Sequence, residues 1–417
     1  MSRCLAVVAA ATLVLSAGTT TAVAYDAPPG AWSAAWTVAP QQPSAGEGAN
    51  WSLTGFAQGG AESLRQVVRV SADGTRIRIR LSNRFGNQPL RIAGATIARS
   101  AGGAALRPGS QRALTFADRA SATVPAGAEL TSDAAALPVR ALETLAVTLY
   151  FSTPTGPATF HELGLATAYR AGGDHRFDPR ATAFGQTSGS RYYLAGVDVS
   201  GRPAARGTVV AFGDSITDGY GTTAAADNRW PDELAERLDA AGKHFGVANV
   251  GVNGNKLLAD SSCFGQSGAG RFARDVLGQP GVRTVIVLEG VNDIGGGGYP
   301  DFGCGASPVV TAAELIEGHR ALIRAAHRHG VRIVGATLTP MGNAWGYDTE
   351  DNQKVRDQLN RWIRTSGEYD AVVDLAKVLA SRKDPRALNP AYDSGDHLHL
   401  NDAGARAIAA AVDLRTL

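Results

Sequence analysis

The chain has 417 residues, a length that suits two domains better than one compact core. Charged residues make up 19% of the sequence and hydrophobic residues 44%, which is typical of a globular protein. The formal net charge of +2 gives no electrostatic basis for binding nucleic acid or an anionic membrane surface, so we expect neither as a partner.

Residues 1–24 are predicted to be a secretory signal peptide. Arg3 supplies a positive charge, Leu5–Leu15 form an apolar stretch too short to span a bilayer, and Ala22–Ala24 provide a small-x-small cleavage site. The alternative is a buried N-terminal helix. No other segment has enough uninterrupted apolar residues for a transmembrane span. We therefore expect a secreted, extracellular protein whose mature chain begins near Tyr25.

Cleavage of that peptide would leave Cys263 and Cys304 as the only cysteines. Two cysteines in an exported protein most often form a disulfide, and we predict one between this pair. The alternative is two buried free thiols. Neither cysteine has the C-x-x-C spacing of a zinc or redox site, so we expect no metal and no cofactor.

Within residues 25–200, apolar residues recur with a period of two and turn signals separate the runs. This pattern predicts an antiparallel β-sandwich domain. Residues 67–83 have the pattern of two strands joined by a type I′ hairpin turn at Asp73-Gly74. The second of these strands alternates apolar residues with arginines, and we interpret its basic side as a solvated face rather than a ligand-binding face. The alternating residues are Ile77, Ile79 and Leu81 on one side and Arg76, Arg78 and Arg80 on the other.

After a linker at 201–206, apolar strands alternate with helical patterns. Near-continuous apolar strands of this kind belong in a parallel sheet, so residues 207–417 are predicted to form a three-layer α/β/α domain. Thr311 with Glu314 predicts a capping box at the start of one helix. In such domains ligands bind beyond the carboxyl ends of the strands. The predicted strands are Val209–Phe212, Val247–Val250, Thr284–Leu288, Val331–Leu338 and Ala371–Leu375.

Ser215 follows the first of these predicted strands almost directly. A serine in this position can act as a nucleophile or can cap a helix. The nucleophile elbow G-x-S-x-G of the α/β-hydrolases does not fit, because Thr217 occupies the last glycine position. Position alone leaves both interpretations open.

Four segments at the ends of β-runs together resemble the SGNH hydrolases, also called GDSL esterases, over residues 207–417. The preceding β-domain is similar, more vaguely, to accessory domains of large secreted actinobacterial members. The matching segments are Gly213-Asp214-Ser215, the loop with Gly254, Gly290-Val291-Asn292-Asp293, and Asp396-x-x-His399.

The resemblance implies a serine ester hydrolase of the carboxylesterase type. Ser215 would be the nucleophile, His399 its general base, and Asp396 the acid that fixes the tautomer of the imidazole. The oxyanion hole would consist of the backbone N–H groups of Ser215 and Gly254 and the side-chain amide of Asn292.

Other polar residues near these positions have different predicted roles. His397 lacks the family spacing, and we interpret it as a packing or rim residue. Asp214 and Asp293 are expected to bond nearby backbone at turns. Gly254 as a simple turn glycine and Asn292 as a simple turn former remain alternatives to their roles in an oxyanion hole.

The substrate is the least determined part of the prediction. The resemblance implies ester hydrolysis, but the substrates of the family include acetylated polysaccharides, aryl and short-chain esters, phospholipids and triglycerides. No long amphipathic lid is evident in the sequence, which favours short-acyl, aryl or polysaccharide esters, such as acetyl esters, over a lipase or phospholipase activity on lipid esters. A different alternative is a glycan-binding protein with a vestigial hydrolase domain. Because every predicted catalytic residue follows Gly207, we expect the β-domain to shape access to the site and to supply none of these residues.

Overall fold

The computed structural model describes residues 31–46, 50–295, 304 and 307–417. The predicted signal peptide at 1–24 lies outside the described residues. Antiparallel strands extend as far as Ser200, and a parallel sheet begins at Gly207.

The N-terminal region is an antiparallel β-sandwich, as predicted. One sheet has the order β1-β16-β3-β10, with β9 also paired to β3, and the other has the order β14-β13-β2-β11-β5-β6, with β7 also paired to β5. Apolar residues of both sheets, such as Ile79 of β3 and Val147 of β11, form a shared core. The strands are β1 Ser33–Thr37, β2 Glu62–Arg69, β3 Gly74–Ser82, β4 Leu90–Ile92, β5 Gly94–Gly102, β6 Ala105–Leu106, β7 Arg112–Leu114, β8 Ala122–Val124, β9 Glu129–Thr131, β10 Ala135–Val139, β11 Thr144–Phe151, β12 Phe160–His161, β13 Ala168–Gly172, β14 Gln186–Ser188, β15 Arg191–Tyr192 and β16 Leu194–Ser200.

The hairpin predicted at Asp73-Gly74 is wrong. Strands β2 and β3 lie in different sheets, since β2 pairs with β11 and β13 whereas β3 pairs with β10 and β16. The connection crosses between the sheets because its backbone is bonded elsewhere: Leu142 N–H donates to Val70 O at 2.7 Å, and Ser71 N–H donates to Ala35 O at 2.8 Å. These long-range bonds outweigh the local turn preference of Asp73-Gly74.

The arginine side of β3 also differs from the solvated face that we expected. Arg78 Nε and Arg80 Nε each lie 3.0 Å from one oxygen of Asp198, whose side chain is 0% exposed. Arg80 Nη2 also donates to Gln279 Oε1 of the C-terminal domain at 2.8 Å. Part of this basic face therefore forms buried ion pairs and contacts the second domain.

The C-terminal domain has a five-stranded parallel sheet in the order β18-β17-β19-β20-β21. All five predicted strands are present, although the fourth ends at Ala336 and the fifth at Val373. The strands are β17 Gly207–Gly213, β18 Phe245–Gly251, β19 Val282–Leu288, β20 Arg332–Ala336 and β21 Ala371–Val373.

Helices cover the sheet in two groups, one containing α2, α7 and α8 and the other α3, α5 and α6. The predicted capping box is confirmed: Glu314 N–H donates to Thr311 Oγ1 at 3.3 Å, and Thr311 N–H donates to Glu314 Oε2 at 2.8 Å. No helix in the described ranges is long and apolar enough to cross a membrane. The helices are α1 Ser215–Asp218, α2 Trp230–Ala240, α3 Gly268–Phe272 with a π-helical turn at Ala273–Leu277, α4 Val291–Gly295, α5 Ala312–Arg328, α6 Glu350–Thr365, α7 Leu375–Val378, α8 Asp402–Ala411 and a final 3₁₀ turn at Leu414–Thr416.

The two regions are packed against each other at the β18 side of the parallel sheet. Ala34 of β1 belongs to the core of the second domain, and its N–H lies 3.0 Å from Thr208 Oγ1. Val247 N–H of β18 donates to Ser71 Oγ at 2.8 Å. The β-sandwich thus covers an edge of the sheet that carries the candidate site.

Candidate active site

Ser215 lies at the carboxyl edge of the parallel sheet, immediately after β17. Gly213 ends the strand, and only glycine fits there because a Cβ would lie 2.3 Å from Leu288 O. Asp214 then caps α1 by accepting the Ile216 N–H at 2.9 Å. Since Ser215 is the first residue of α1, its own N–H has no acceptor within the helix. The serine therefore presents both a hydroxyl and a backbone donor at the sheet edge.

The structure brings together three predicted site residues from distant parts of the chain. His399 Nε2 lies 2.8 Å from Ser215 Oγ, and His399 Nδ1 lies 2.6 Å from Asp396 Oδ2. The other oxygen of Asp396 accepts the backbone N–H groups of Leu398 at 3.0 Å and His399 at 2.8 Å. This is a continuous hydroxyl–imidazole–carboxylate arrangement.

The charge of Asp396 fixes the hydrogen-bond directions in this arrangement. Burial alone would raise the pKa of Asp396, but the hydrogen bond and charge of His399, together with the two backbone N–H groups, lower that pKa well below its usual range. The carboxylate accepts the Nδ1 hydrogen, so in neutral imidazole the Nε2 lone pair faces Ser215 Oγ. The ring of Tyr220, with its centroid 4.4 Å from that of His399, packs against the imidazole.

Gly254 occupies a turn that no other residue fits without strain. Its φ is +68°, and a Cβ at this position would lie 2.3 Å from the ring of Phe264. The turn is closed by Asn255 N–H, which donates to Val252 O at 3.1 Å. The glycine is therefore required by the backbone geometry, whether or not its N–H also serves as an oxyanion donor.

The side chain of Asn292, in α4, is held in one orientation. Its Nδ2 donates to Asn255 O at 2.9 Å, and its Oδ1 accepts the hydroxyl hydrogen of Tyr347 at 2.7 Å. Because Nδ2 carries two hydrogens, one remains for a second acceptor. This contact also places the amide against the loop that contains Gly254. Tyr347 was missed by the sequence analysis, since it is 55 residues from Asn292 in the chain.

Asp293 bonds backbone, as predicted, but the backbone belongs to another element. It accepts the N–H groups of Leu257 at 2.6 Å and Leu258 at 2.9 Å. Burial raises the pKa of Asp293 to about 6, although these backbone bonds act in the opposite direction. These hydrogen bonds connect α4 to the loop following Gly254.

A buried arginine connects the strand ends beneath the site. Arg271 donates to Val250 O at 2.6 Å, to Gly213 O at 2.8 Å and to Asn255 Oδ1 at 2.8 Å. Glu289 Oε2 lies 3.6 Å from its Nη2, and burial together with the charge of Asp214 raises the pKa of Glu289 well above the usual range. Burial and the neighbouring carboxyl group thus favour the protonated form of Glu289, whereas the charge of Arg271 acts in the opposite direction.

His397 lies outside the hydroxyl–imidazole–carboxylate arrangement. Its Nδ1 is 2.6 Å from Asp393 Oδ2, its side chain is 50% exposed, and its φ is +65°. The sequence predicted a packing or rim residue, and this exposed position corresponds to the rim.

Cys263 and Cys304 form the predicted disulfide. Two further bonds join the same segments, because Ser261 Oγ donates to Cys304 O at 3.1 Å and Ser262 N–H donates to it at 3.2 Å. The bridge connects the loop following Gly254 to the segment following α4. Over the described ranges, His, Cys, Asp and Glu side chains form no group of three or more that could hold a metal ion.

A cleft of about 330 Å³ lies between the β-sandwich and the second domain. Leu165 and Ser190 line it from the sandwich, and Ala225 and Asn253 line it from the second domain. Asn253 directly precedes Gly254 in the chain, so the cleft reaches the loop beside the candidate site. The lining offers both apolar and polar groups.

Residues 211–407 match the model of the GDSL-like Lipase/Acylhydrolase family. Three solved structures match about half of this chain. An acetyl xylan esterase, AlAXEase, has 22% identity and a TM-score of 0.38, and the match covers 49% of this chain and 96% of that chain. The lipase/acylhydrolase from Enterococcus faecalis has 22% identity and a TM-score of 0.37, with coverages of 49% and 92%, and a GDSL-like lipase from Bacteroides thetaiotaomicron has 16% identity and a TM-score of 0.36, with coverages of 50% and 87%. No curated protein matches this chain.

Proposed function

We propose that this chain, whose residues 211–407 belong to the GDSL-like lipase/acylhydrolase family, is a secreted serine carboxylic-ester hydrolase acting through an acyl-enzyme on Ser215. The observation that carries the proposal is the 2.8 Å contact between Ser215 Oγ and His399 Nε2, with Asp396 on the opposite side of the imidazole. A serine hydroxyl is too weak an acid to attack an ester without such a base.

In the first half of the reaction, Ser215 Oγ attacks the ester carbonyl while His399 Nε2 takes the hydroxyl proton. The tetrahedral intermediate collapses as His399 gives that proton to the leaving alkoxide, which departs as the alcohol and leaves an acyl-enzyme. Asp396 remains a carboxylate throughout and stabilises the imidazolium. Water then attacks the acyl group, gives a proton to His399, and releases the carboxylic acid as Oγ is reprotonated.

Three donors supply the oxyanion hole in this proposal: the backbone N–H groups of Ser215 and Gly254 and the second Nδ2 hydrogen of Asn292. Each is presented by a constrained element, because Ser215 begins a helix, Gly254 lies in a tight turn, and Tyr347 fixes the Asn292 amide. Removing one such donor typically lowers turnover by about 100- to 1000-fold.

The substrates proposed are short-acyl, aryl or polysaccharide esters, including acetyl esters. The cleft between the two domains supports this preference, because its lining combines apolar side chains such as Leu165 with polar ones such as Ser190. A wall contributed by the β-sandwich would meet the acyl or alcohol part of a bulky substrate.

The test is a panel of chromogenic esters from acetyl to palmitoyl, together with acetylated xylan and phosphatidylcholine, with Ser215→Ala as the matched control. Highest kcat/KM on short acyl chains or on acetylated xylan supports the substrate proposal. Highest activity on palmitoyl esters or phosphatidylcholine would instead establish the lipid-ester alternative. Glycan binding with no turnover on any ester would overturn the enzymatic proposal in favour of a vestigial hydrolase domain.

A further inference from the structure

A buried contact links the β-sandwich to the helix that begins at Ser215. His161, in β12, has its Nε2 3.0 Å from Asp218 Oδ1, and Asp218 is the last residue of α1. The two side chains are 1% and 2% exposed. His161 was not predicted from the sequence, because a lone histidine in an alternating β-pattern carries no functional signal.

Both ring nitrogens of His161 lie within hydrogen-bond distance of an oxygen atom. Its Nδ1 lies 3.0 Å from Ala39 O, a carbonyl that can only accept, and its Nε2 faces the Asp218 carboxyl group. Two acceptors on opposite sides of one imidazole are both satisfied when both ring nitrogens carry hydrogens. The imidazole is therefore held between Ala39 O and the Asp218 carboxyl group by short, directional contacts in a buried environment.

Asp218 also bonds the loop that contains Gly254. Its second oxygen, Oδ2, accepts the Asn253 N–H at 2.9 Å, and Asn253 directly precedes Gly254. The Asp218 N–H in turn donates to Asp214 O at 2.9 Å in the first turn of α1. One carboxylate thus bonds the β-sandwich and the Gly254 loop at the same time.

We propose that His161 is a positioning residue supplied by the β-sandwich, which through Asp218 holds the Asn253–Gly254 peptide where Gly254 N–H donates to the oxyanion. This inference rests on the proposed ester hydrolysis and extends it, because it gives the β-sandwich a part in transition-state stabilisation. The donor is useful only if it is preorganised, and a displacement of about 1 Å can cost about 100-fold in rate.

The kinetic test compares His161→Ala, His161→Gln and Asp218→Asn with the wild-type protein on a small aryl acetate. We expect kcat to fall about 10- to 100-fold in His161→Ala with KM changed less than about threefold, because the oxyanion donor acts in the transition state. His161→Gln can still donate one hydrogen to Asp218 and should lose less. The double variant His161→Gln/Asp218→Asn should lose no more than Asp218→Asn alone, since both act through one carboxylate.

The matched control is Glu236→Gln, which breaks an ion pair at a different contact between the two domains. Arg69 Nη2 of β2 lies 2.8 Å from Glu236 Oε1 of α2, so this contact involves neither Asp218 nor the Gly254 loop. If His161 acts only as part of the interface, the two substitutions should have the same kinetic effect. Equal effects, or a kcat within about twofold of wild type in a folded His161→Ala variant, would overturn the proposal.

A second readout is independent of ester hydrolysis. Hydrogen exchange measured by mass spectrometry on peptides covering residues 250–257 reports directly on the Asn253 N–H that Asp218 accepts. We expect exchange there to accelerate about tenfold or more in His161→Ala, to accelerate less in His161→Gln, and to stay unchanged in Glu236→Gln. Unchanged exchange in folded His161 variants overturns the positioning role. Inactivity of the wild-type protein on every ester would instead overturn the proposed function while leaving this result interpretable.

Discussion

The Tyr347 hydroxyl donates its hydrogen to Asn292 Oδ1 at 2.7 Å and, together with the bond from Asn292 Nδ2 to Asn255 O at 2.9 Å, holds the amide in one orientation at the proposed oxyanion hole. With Oδ1 occupied, Nδ2 is directed to Asn255 O and to the position where negative charge would develop. Tyr347 thus orients a residue that lies 55 positions away in the chain.

Tyr347→Phe should lower kcat about 5- to 20-fold and leave KM nearly unchanged, because it removes the bond that orients the amide but leaves the amide present. Asn292→Ala, which removes the donor itself, should cost about 100-fold or more. Steady-state kinetics of both variants on one aryl ester provides the comparison. A Tyr347→Phe loss as large as that of Asn292→Ala, in folded protein, would mean that the hydroxyl has a role of its own.

Asp396 and Asp293 should differ strongly in their effect on turnover. Asp396→Asn should reduce kcat by about 1000- to 10,000-fold, since an amide at this position favours the wrong imidazole tautomer. Asp293→Asn should cost far less, because Asp293 bonds the backbone of Leu257 and Leu258 rather than His399. Kinetics on the same ester, with circular dichroism as the folding control, tests this. Equal losses at both positions would refute the assignment of Asp396.

Asp214 should make stability depend on pH. Burial, the largest cause, raises its pKa to about 7 from an ordinary value of 3.8. A group whose pKa is raised in the folded state contributes its full stability below the unfolded pKa, so this contribution is present near pH 4 and is lost as pH rises to about 7. Asp214→Asn keeps the acceptor for the Ile216 N–H but removes the titration.

The free energy of unfolding of the wild-type protein should therefore fall relative to that of Asp214→Asn between pH 4 and pH 7.5, by on the order of 4 kcal/mol at most. Urea denaturation of both proteins at the two pH values gives the difference. The same difference at both pH values would show that the pKa of Asp214 is not raised by folding.

We expect a mature chain that begins near Tyr25 and contains the Cys263–Cys304 bridge. Intact mass after secretion and thiol titration under native and denaturing conditions measure both features. A mass that retains residues 1–24 would contradict the signal peptide, and two titratable thiols in the non-reduced protein would contradict the bridge in solution.

Sequence reasoning succeeded where the signal was local. The five parallel strands were visible as apolar runs, and the capping box of Thr311 with Glu314 requires residues only three positions apart. The candidate site residues were predicted from the resemblance of four short segments to the SGNH hydrolases. Three of these segments follow β17, β18 and β19, and parallel strands bring their carboxyl ends to one edge.

The same reasoning failed where long-range contacts decide the outcome. The turn at Asp73-Gly74 has the composition of a hairpin turn. However, apolar and polar residues alternate in the same way in two strands that pair and in two strands that lie in facing sheets. The partners of β2 and β3 lie far along the chain, so no local pattern distinguishes the cases. His161 was missed for a related reason, since its importance depends entirely on Asp218, 57 residues away.

The central claim, that Ser215 is an acylated nucleophile, is tested most directly by mass spectrometry of the protein quenched during turnover of an aryl ester, with Ser215→Ala treated in the same way. We predict an added acyl mass on the peptide that contains Ser215, absent from the variant, and a variant turnover below about a thousandth of wild type. Ester turnover by a folded Ser215→Ala protein at a rate near that of wild type, or an acyl group found only on another residue, would contradict the claim.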